Sequence, residues 1–168
     1  ILSQMPTGSV VLDPFCGSGT IVYEGLRFGH KTIGIDANPI AVALSKGKIS
    51  IPVNIDDVNN ELELYIKKCT CREYDGEIPE YPKSLFHEKS INQIMNMAQF
   101  YEEMSDYLKA CFLGAIALTA RGCNDYKWTS STVGKNIEPK RYIDFYDKLK
   151  AKIKKHHFPI ENHSKIYY

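Results

Sequence analysis

The sequence predicts an α/β fold on a parallel sheet, from three observations. Two short apolar runs, residues 9–12 and 31–35, each lead directly into an acid, Asp13 and Asp36. A glycine-rich turn and a helical pattern lie between them. A second helical pattern follows the second acid, giving β-α-β-α within the first 50 residues and a right-handed crossover.

Residues 9–12 form a short apolar run of the kind a buried parallel strand makes. Residues 20–28 place Ile21, Val22, Gly25 and Leu26 on one side at helical spacing, and Gly29 stands where a left-handed C-terminal cap is expected. Residues 31–35 repeat the strand pattern. Pro39 opens a helix through about Lys46, because proline in the first turn gives up no hydrogen bond there.

Beyond residue 50 the character becomes helical. Val58, Leu62, Tyr65 and Ile66 mark an amphipathic helix over 55–67, and the prolines and glycine of YDGEIPEYP predict a loop. Residues 87–104 read as helix. Ser105 is a candidate N-cap for a helix with Leu108, Cys111, Phe112, Ala115, Ile116 and Thr119 in register. Leu113, Ala117 and Leu118 on its other faces predict burial nearly all round, and Gly122 ends it. Residues 124–138 are polar and irregular. Pro139 opens a last helix with Tyr142, Phe145, Tyr146, Leu149 and Ile153 on one stripe. The expected organisation is a β-α-β-α unit over 1–50, a mainly helical insertion over 51–137, and a basic helix with the start of a third strand over 138–168.

Composition narrows the function classes. The chain has 168 residues, enough for one hydrophobic core, and 21 Lys and Arg stand against 20 acids, so net charge alone demands no polyanionic partner. Five cysteines, an odd number at low density, predict a reducing, cytoplasmic setting rather than a disulfide scaffold. No apolar run reaches about 18 residues, so no membrane span is expected.

The stretch DPFCGSGT explains what the turn is for. In doubly wound sheets, ligands sit beyond the carboxyl ends of the strands, where loops enter helix N-termini. Gly17 and Gly19 let the backbone bend tightly and come close to a ligand. The helix starting near Thr20 offers free N–H groups to a carboxylate or phosphate. Asp13 can accept from a ligand ammonium, Asp36 can hold the two hydroxyls of a ribose, and Ala37, Asn38 and Pro39 would line the edge of the attached base. The phosphate-binding pattern GxxxxGK[ST] is absent, and so is GxGxxG. A nucleoside-type ligand with a charged tail remains.

DPFCGSGT followed by GIDANP resembles the cofactor half of the amino-group methyltransferases that use S-adenosylmethionine, above all the branch that methylates exocyclic amino groups of adenine or cytosine in DNA. The tRNA guanine methyltransferases carry a similar DPFCGSGT. The resemblance is specific over roughly residues 9–48. It implies a Rossmann-like methyltransferase sheet, incomplete here, with a helical insertion. It implies that Asp13, Pro14, Phe15, Cys16, Gly17, Ser18, Gly19 and Thr20 surround the methionine moiety and that Asp36, Ala37 and Asn38 hold the nucleoside. DNA, or RNA as the alternative, would be the substrate, in a restriction-modification setting.

The family's catalytic motif is Asp, Asn or Ser, then Pro-Pro, then an aromatic residue that stacks on a flipped base. All eight prolines here are isolated, so no residue takes a catalytic role. Two explanations stay open: a fragment whose catalytic strand lies downstream or on another polypeptide, or a relic that binds cofactor without transfer. A sheet of two or three strands is expected to be covered by another polypeptide, by self-association or by the helical insertion. Cys69 and Cys71 have no second pair at zinc spacing and read as ordinary thiols. Lys135, Lys140, Arg141, Lys148, Lys150, Lys152, Lys154 and Lys155 outnumber Glu138, Asp144 and Asp147, and His156 and His157 close the run. A solvated helix face or a phosphate-contacting surface would explain that excess. Tyr126 and Trp128 could stack on a base or anchor their loop.

Overall fold

The computed structural model describes residues 1–120 and 142–160. Strand β1 (Val10–Asp13) and strand β2 (Lys31–Gly34) pair in parallel, with Val10 opposite Lys31 and Asp13 opposite Gly34. Helix α1 (Thr20–Arg27) makes the crossover, and α2 (Pro39–Ile49) follows β2. The rest of the described chain is helical: α3 (Ile55–Cys71), α4 (Glu80–Leu85), α5 (Glu88–Ala98), α6 (Asp106–Thr119) and α7 (Phe145–His156).

Local chemistry sets most of these boundaries. Asn38 accepts from the Ile40 amide ahead of Pro39 and so caps α2. Asn54 caps α3, His87 caps α5 through Nδ1, Ser105 caps α6 and Asp144 caps α7. Lys154, Lys155 and His156 lie in the last turn of α7, where positive charge complements the helix dipole.

The main core is helical. Leu62, Met97, Leu108, Phe145, Leu149 and Ile153 are fully buried together, and Phe145 meets Phe112 edge-on at 5.3 Å. Helix α6 lies against α2 so closely that a Cβ on Gly47 would stand 2.6 Å from the Asp106 carbonyl oxygen. The β-sheet stands apart from this core. Val22, Leu26 and Cys16 are buried on the side of the sheet that α1 covers. On the other side Val10, Leu12, Ile33 and Ile35 are 49 to 62% exposed. Among the described residues the helical region packs on α2 and leaves that face open, where the insertion was expected to cover it.

Several expectations need correction. Ile21 is exposed rather than part of the inner stripe of α1, which is Val22, Gly25 and Leu26. Helix α4 starts inside the expected loop YDGEIPEYP, since Pro82 falls in its first turn, where proline fits. The helix expected over 87–104 stops at Ala98. A single 3-10 turn, Tyr101–Glu103, then lets both Phe100 and Met104 reach the core. Helices α2 and α3 run to Ile49 and Cys71, past their expected ends at Lys46 and Lys67. Ala117 is exposed, so α6 is not buried all round. Helix α7 starts at Phe145 under the Asp144 cap, and Tyr142 precedes it. Gly122, Cys123, the irregular stretch 124–138 with Tyr126, Trp128 and Lys135, then Pro139, Lys140, Arg141 and the closing KIYY lie outside the described residues.

Gly47→Val forces α2 and α6 apart and is expected to destabilise the chain by about 1–3 kcal/mol. The urea midpoint should fall with an unchanged slope.

Candidate cofactor site at the strand tips

Because the two strands run parallel, both carboxylates emerge at one end of the sheet. The Ile35 amide donates to the Asp13 carbonyl and the Cys16 amide to the Ile35 carbonyl, each at 2.9 Å, so the turn after β1 is laced to the end of β2. The side chains then close the arrangement. Asp36 Oδ2 accepts from the Gly17 amide at 2.9 Å and Oδ1 from the Asn38 amide at 2.8 Å. Asp13 Oδ1 accepts from the Phe15 amide at 3.2 Å. The two amides on Asp36, Asn38 first and Gly17 second, favour its anionic form and hold its pKa below the ordinary 3.8.

The two glycines act differently. Gly19 has φ +74° and is buried beneath Ser45, where a Cβ would stand 2.9 Å from the Ser45 Cα. Its bareness lets α2 pack on the loop. Gly17 has φ +51°, and a Cβ there would meet nothing within 4 Å. Open space faces Gly17, and its amide points to Asp36. Gly19 also serves as N-cap of α1 and offers no side chain, so the first turn starts without a side-chain cap.

The other expected residues divide. Phe15 projects from the loop at 87% exposure. Pro14, Ser18, Thr20, Ala37 and Asn38 are exposed, but the Asn38 side chain is engaged in capping α2. The Cys16 side chain is buried against Gly34 and Val22, so only its backbone belongs to the loop surface. Thr20 Oγ1 accepts from Lys48 Nζ at 3.1 Å, a link from α2 that the sequence spacing did not reveal.

A large cleft of about 1120 Å³ adjoins this loop on the helical side, touching Ser18 and Thr20 but not Asp13, Gly17 or Asp36. Lys152 and His156 of its lining belong to the basic run noted in the sequence, whereas their meeting with Lys48 and Arg27 was not legible there, because these residues lie far apart in the chain. His157, expected to be solvated, is half-buried, with Nε2 2.7 Å from the Pro52 carbonyl and its ring beside Tyr107. Among the described residues no cluster of His, Cys, Asp or Glu could hold a metal ion. No described helix is long and apolar enough to cross a membrane.

The Asp36 link has a pH signature. A carboxylate with a lowered folded pKa contributes its hydrogen bonds above the ordinary value and loses them as pH falls through the folded one. Gly17 amide exchange, followed by NMR, should be protected above pH 3.8, lose protection below it, and be unprotected at every pH in Asp36→Ala.

Known proteins resemble this chain. Residues 1–47 match the family model described as DNA methylase. The chain is 31% identical over 121 residues to the type II methyltransferase M.MvaI of Kocuria varians, covering 65% of this chain and 26% of that protein. It is 26% identical over 115 residues to a probable tRNA (guanine(10)-N2)-dimethyltransferase of Methanothermococcus thermolithotrophicus, covering 64% of this chain and 68% of the relative. The ribosomal protein L11 methyltransferase of Shigella sonnei is 34% identical over 73 residues, covering 43% and 24%. The chain thus spans about a quarter of the length of the first and third of these relatives and about two thirds of the second. No solved structure matches it significantly. The match to the DNA methylase family model takes in both strand tips and the glycine loop, and the relatives support a methyltransferase.

Proposed function

We propose that the strand-tip site binds S-adenosylmethionine within a protein that methylates an exocyclic amino group of adenine or cytosine in DNA. The observation that carries this reading is the convergence of Asp13, Asp36 and the uncapped start of α1 at one end of the parallel pair. That convergence falls inside the segment matched by the DNA methylase family.

The residues suit the cofactor. A carboxylate has about four lone-pair sites, so Asp36 can accept from Gly17 and Asn38 and still receive two ribose hydroxyls. Asp13 is placed to accept from an ammonium, and the free amides at the start of α1 suit a carboxylate. Ala37 and Asn38 border the nucleobase, and the open space over Gly17 leaves room for close approach. The cofactor would supply a methyl group on a positive sulfonium. The chain's own part is to bind and orient it, since no Pro-Pro motif is present to hold a target amine.

A second reading has its own support. The tRNA guanine dimethyltransferase relative aligns over 68% of its length, so RNA is the alternative substrate. The four described cysteines are free, which favours a reducing, cytoplasmic setting.

Calorimetry with S-adenosylmethionine tests the site: binding by the intact chain is expected, weakened about tenfold or more in Asp36→Ala. No heat of binding, or equal affinity in both proteins, would overturn the assignment. Methyl transfer to DNA or tRNA by the chain alone is not expected.

The open face of the sheet is apolar enough to seek a cover, and we take self-association to be its route in the isolated chain. Sedimentation velocity should show association that Leu12→Asp with Ile33→Asp reduces to monomer. A wild-type chain that stays monomeric at high concentration contradicts this.

A further inference from the structure

We propose that the cleft between α1, α2, α6 and α7 is a second ligand site, taking a phosphate-bearing nucleotide, free or within a nucleic-acid strand. It borders the strand-tip site at Ser18 and Thr20 and does not include Asp13, Gly17 or Asp36.

The cleft has the volume of a ligand pocket rather than a packing defect, about 1120 Å³. Its described lining combines apolar and aromatic residues, among them Leu44, Ile51, Ala110 and Tyr107, with cationic ones. Lys48, Lys152, Arg27 and His156 come to it from α2, α7 and α1, whereas Glu24 is the single acid among the described lining residues. Arg27 holds Glu24 through two contacts of 3.1 Å, so that acid is shared between Arg27 and Lys48.

Lys152 is placed by the fold. Its side chain lies across Gly114 of α6, where a Cβ would stand 2.6 Å from the Lys152 Cε and 3.2 Å from Nζ. Among the described residues no carboxylate pairs with it. By contrast Lys150, one helical face away, pairs with Glu63 at 2.7 Å. Lys48 is half-buried, and partial burial together with Lys152, Lys155 and Lys48 depresses the pKa of His156. Three ammonium groups therefore act on one imidazole, with Glu24 as the counter-charge near Lys48. Burial pushes the Cys111 thiol up to about 11 and Tyr107 higher still, so neither contributes negative charge.

Such a cavity favours an anion that also carries an apolar, flat body. Phosphate satisfies the lysines, and a base or sugar fills the space against Tyr107, Leu44 and Ile51.

Two probes separate the sources: adenosine monophosphate, and a fluorescein-labelled single-stranded 12-mer followed by anisotropy. Binding of the 12-mer assigns the cleft to a strand, and binding of the monophosphate alone assigns it to a free nucleotide. In either case Lys152→Gln should weaken binding about tenfold, and Lys152→Arg should restore it. For the 12-mer, Lys152→Gln should also lower the salt slope by about 0.7. Lys48→Gln gives an independent loss. Failure of the wild-type chain to bind either probe, or equal binding by Lys152→Gln, overturns the proposal. S-adenosylmethionine affinity measured in Lys152→Gln should match the wild type, so a failed strand-tip site and a failed cleft give different results.

Discussion

The hydrogen bond from the Gly17 amide to Asp36 is the constraint on which the N-terminal unit depends. It joins the loop after the first strand to the tip of the second, across a sheet only two strands wide among the described residues. A loop with two left-handed glycines has many conformations to lose on folding, and a fixed anionic acceptor selects one of them. That acceptor works because the same carboxylate also receives the Asn38 amide, which fixes its orientation. The start of α1, the cap of α2 and the loop between them thus share one charged group.

Stability and the site are housed in different parts of the chain. The large core belongs to α3, α5, α6 and α7, whereas the sheet contributes only a small buried patch under α1. The site therefore sits on the less supported unit, held to the helical body where Gly47 lets α6 press on α2. The apolar residues left open on the far face of the sheet follow from the same division. The helices spend their buried faces on one another and on α2, not on β1 and β2.

Much of this was legible in the sequence because local rules dominate there. Strand β1 ended at its acid while β2 stopped at Gly34, two residues short of Asp36, Gly29 took its left-handed cap, and Asn38, Pro39 and Ser105 marked helix starts, each a matter of a few neighbouring residues. The expectations failed where a distant contact decides. Whether Ile21 or Val22 faces inward depends on where the sheet lies. The break at Ala98 depends on Phe100 and Met104 both finding the core. For Cys16 the motif suggested a ligand contact, yet the turn aims its side chain at Gly34. The role of Asp36 as a loop anchor could not be read from spacing, because it is a bond to a backbone amide 19 residues away in the chain.

Helix α1 borders both the candidate strand-tip site and the cleft. Its inner stripe, Val22, Gly25 and Leu26, packs on the sheet and fixes where the uncapped N-terminus points. The stripe of Thr20, Tyr23, Glu24 and Arg27 recurs at three- and four-residue steps on another side and forms a wall of the cleft. Thr20 is common to both, since it opens the helix beside the glycine loop and accepts from Lys48 of the cleft. A ligand that drew the Lys48 ammonium toward a phosphate would loosen its hold on Thr20, at the residue where the strand-tip site begins. The Thr20 hydroxyl is thus the point at which the two candidate sites come within one hydrogen bond of each other.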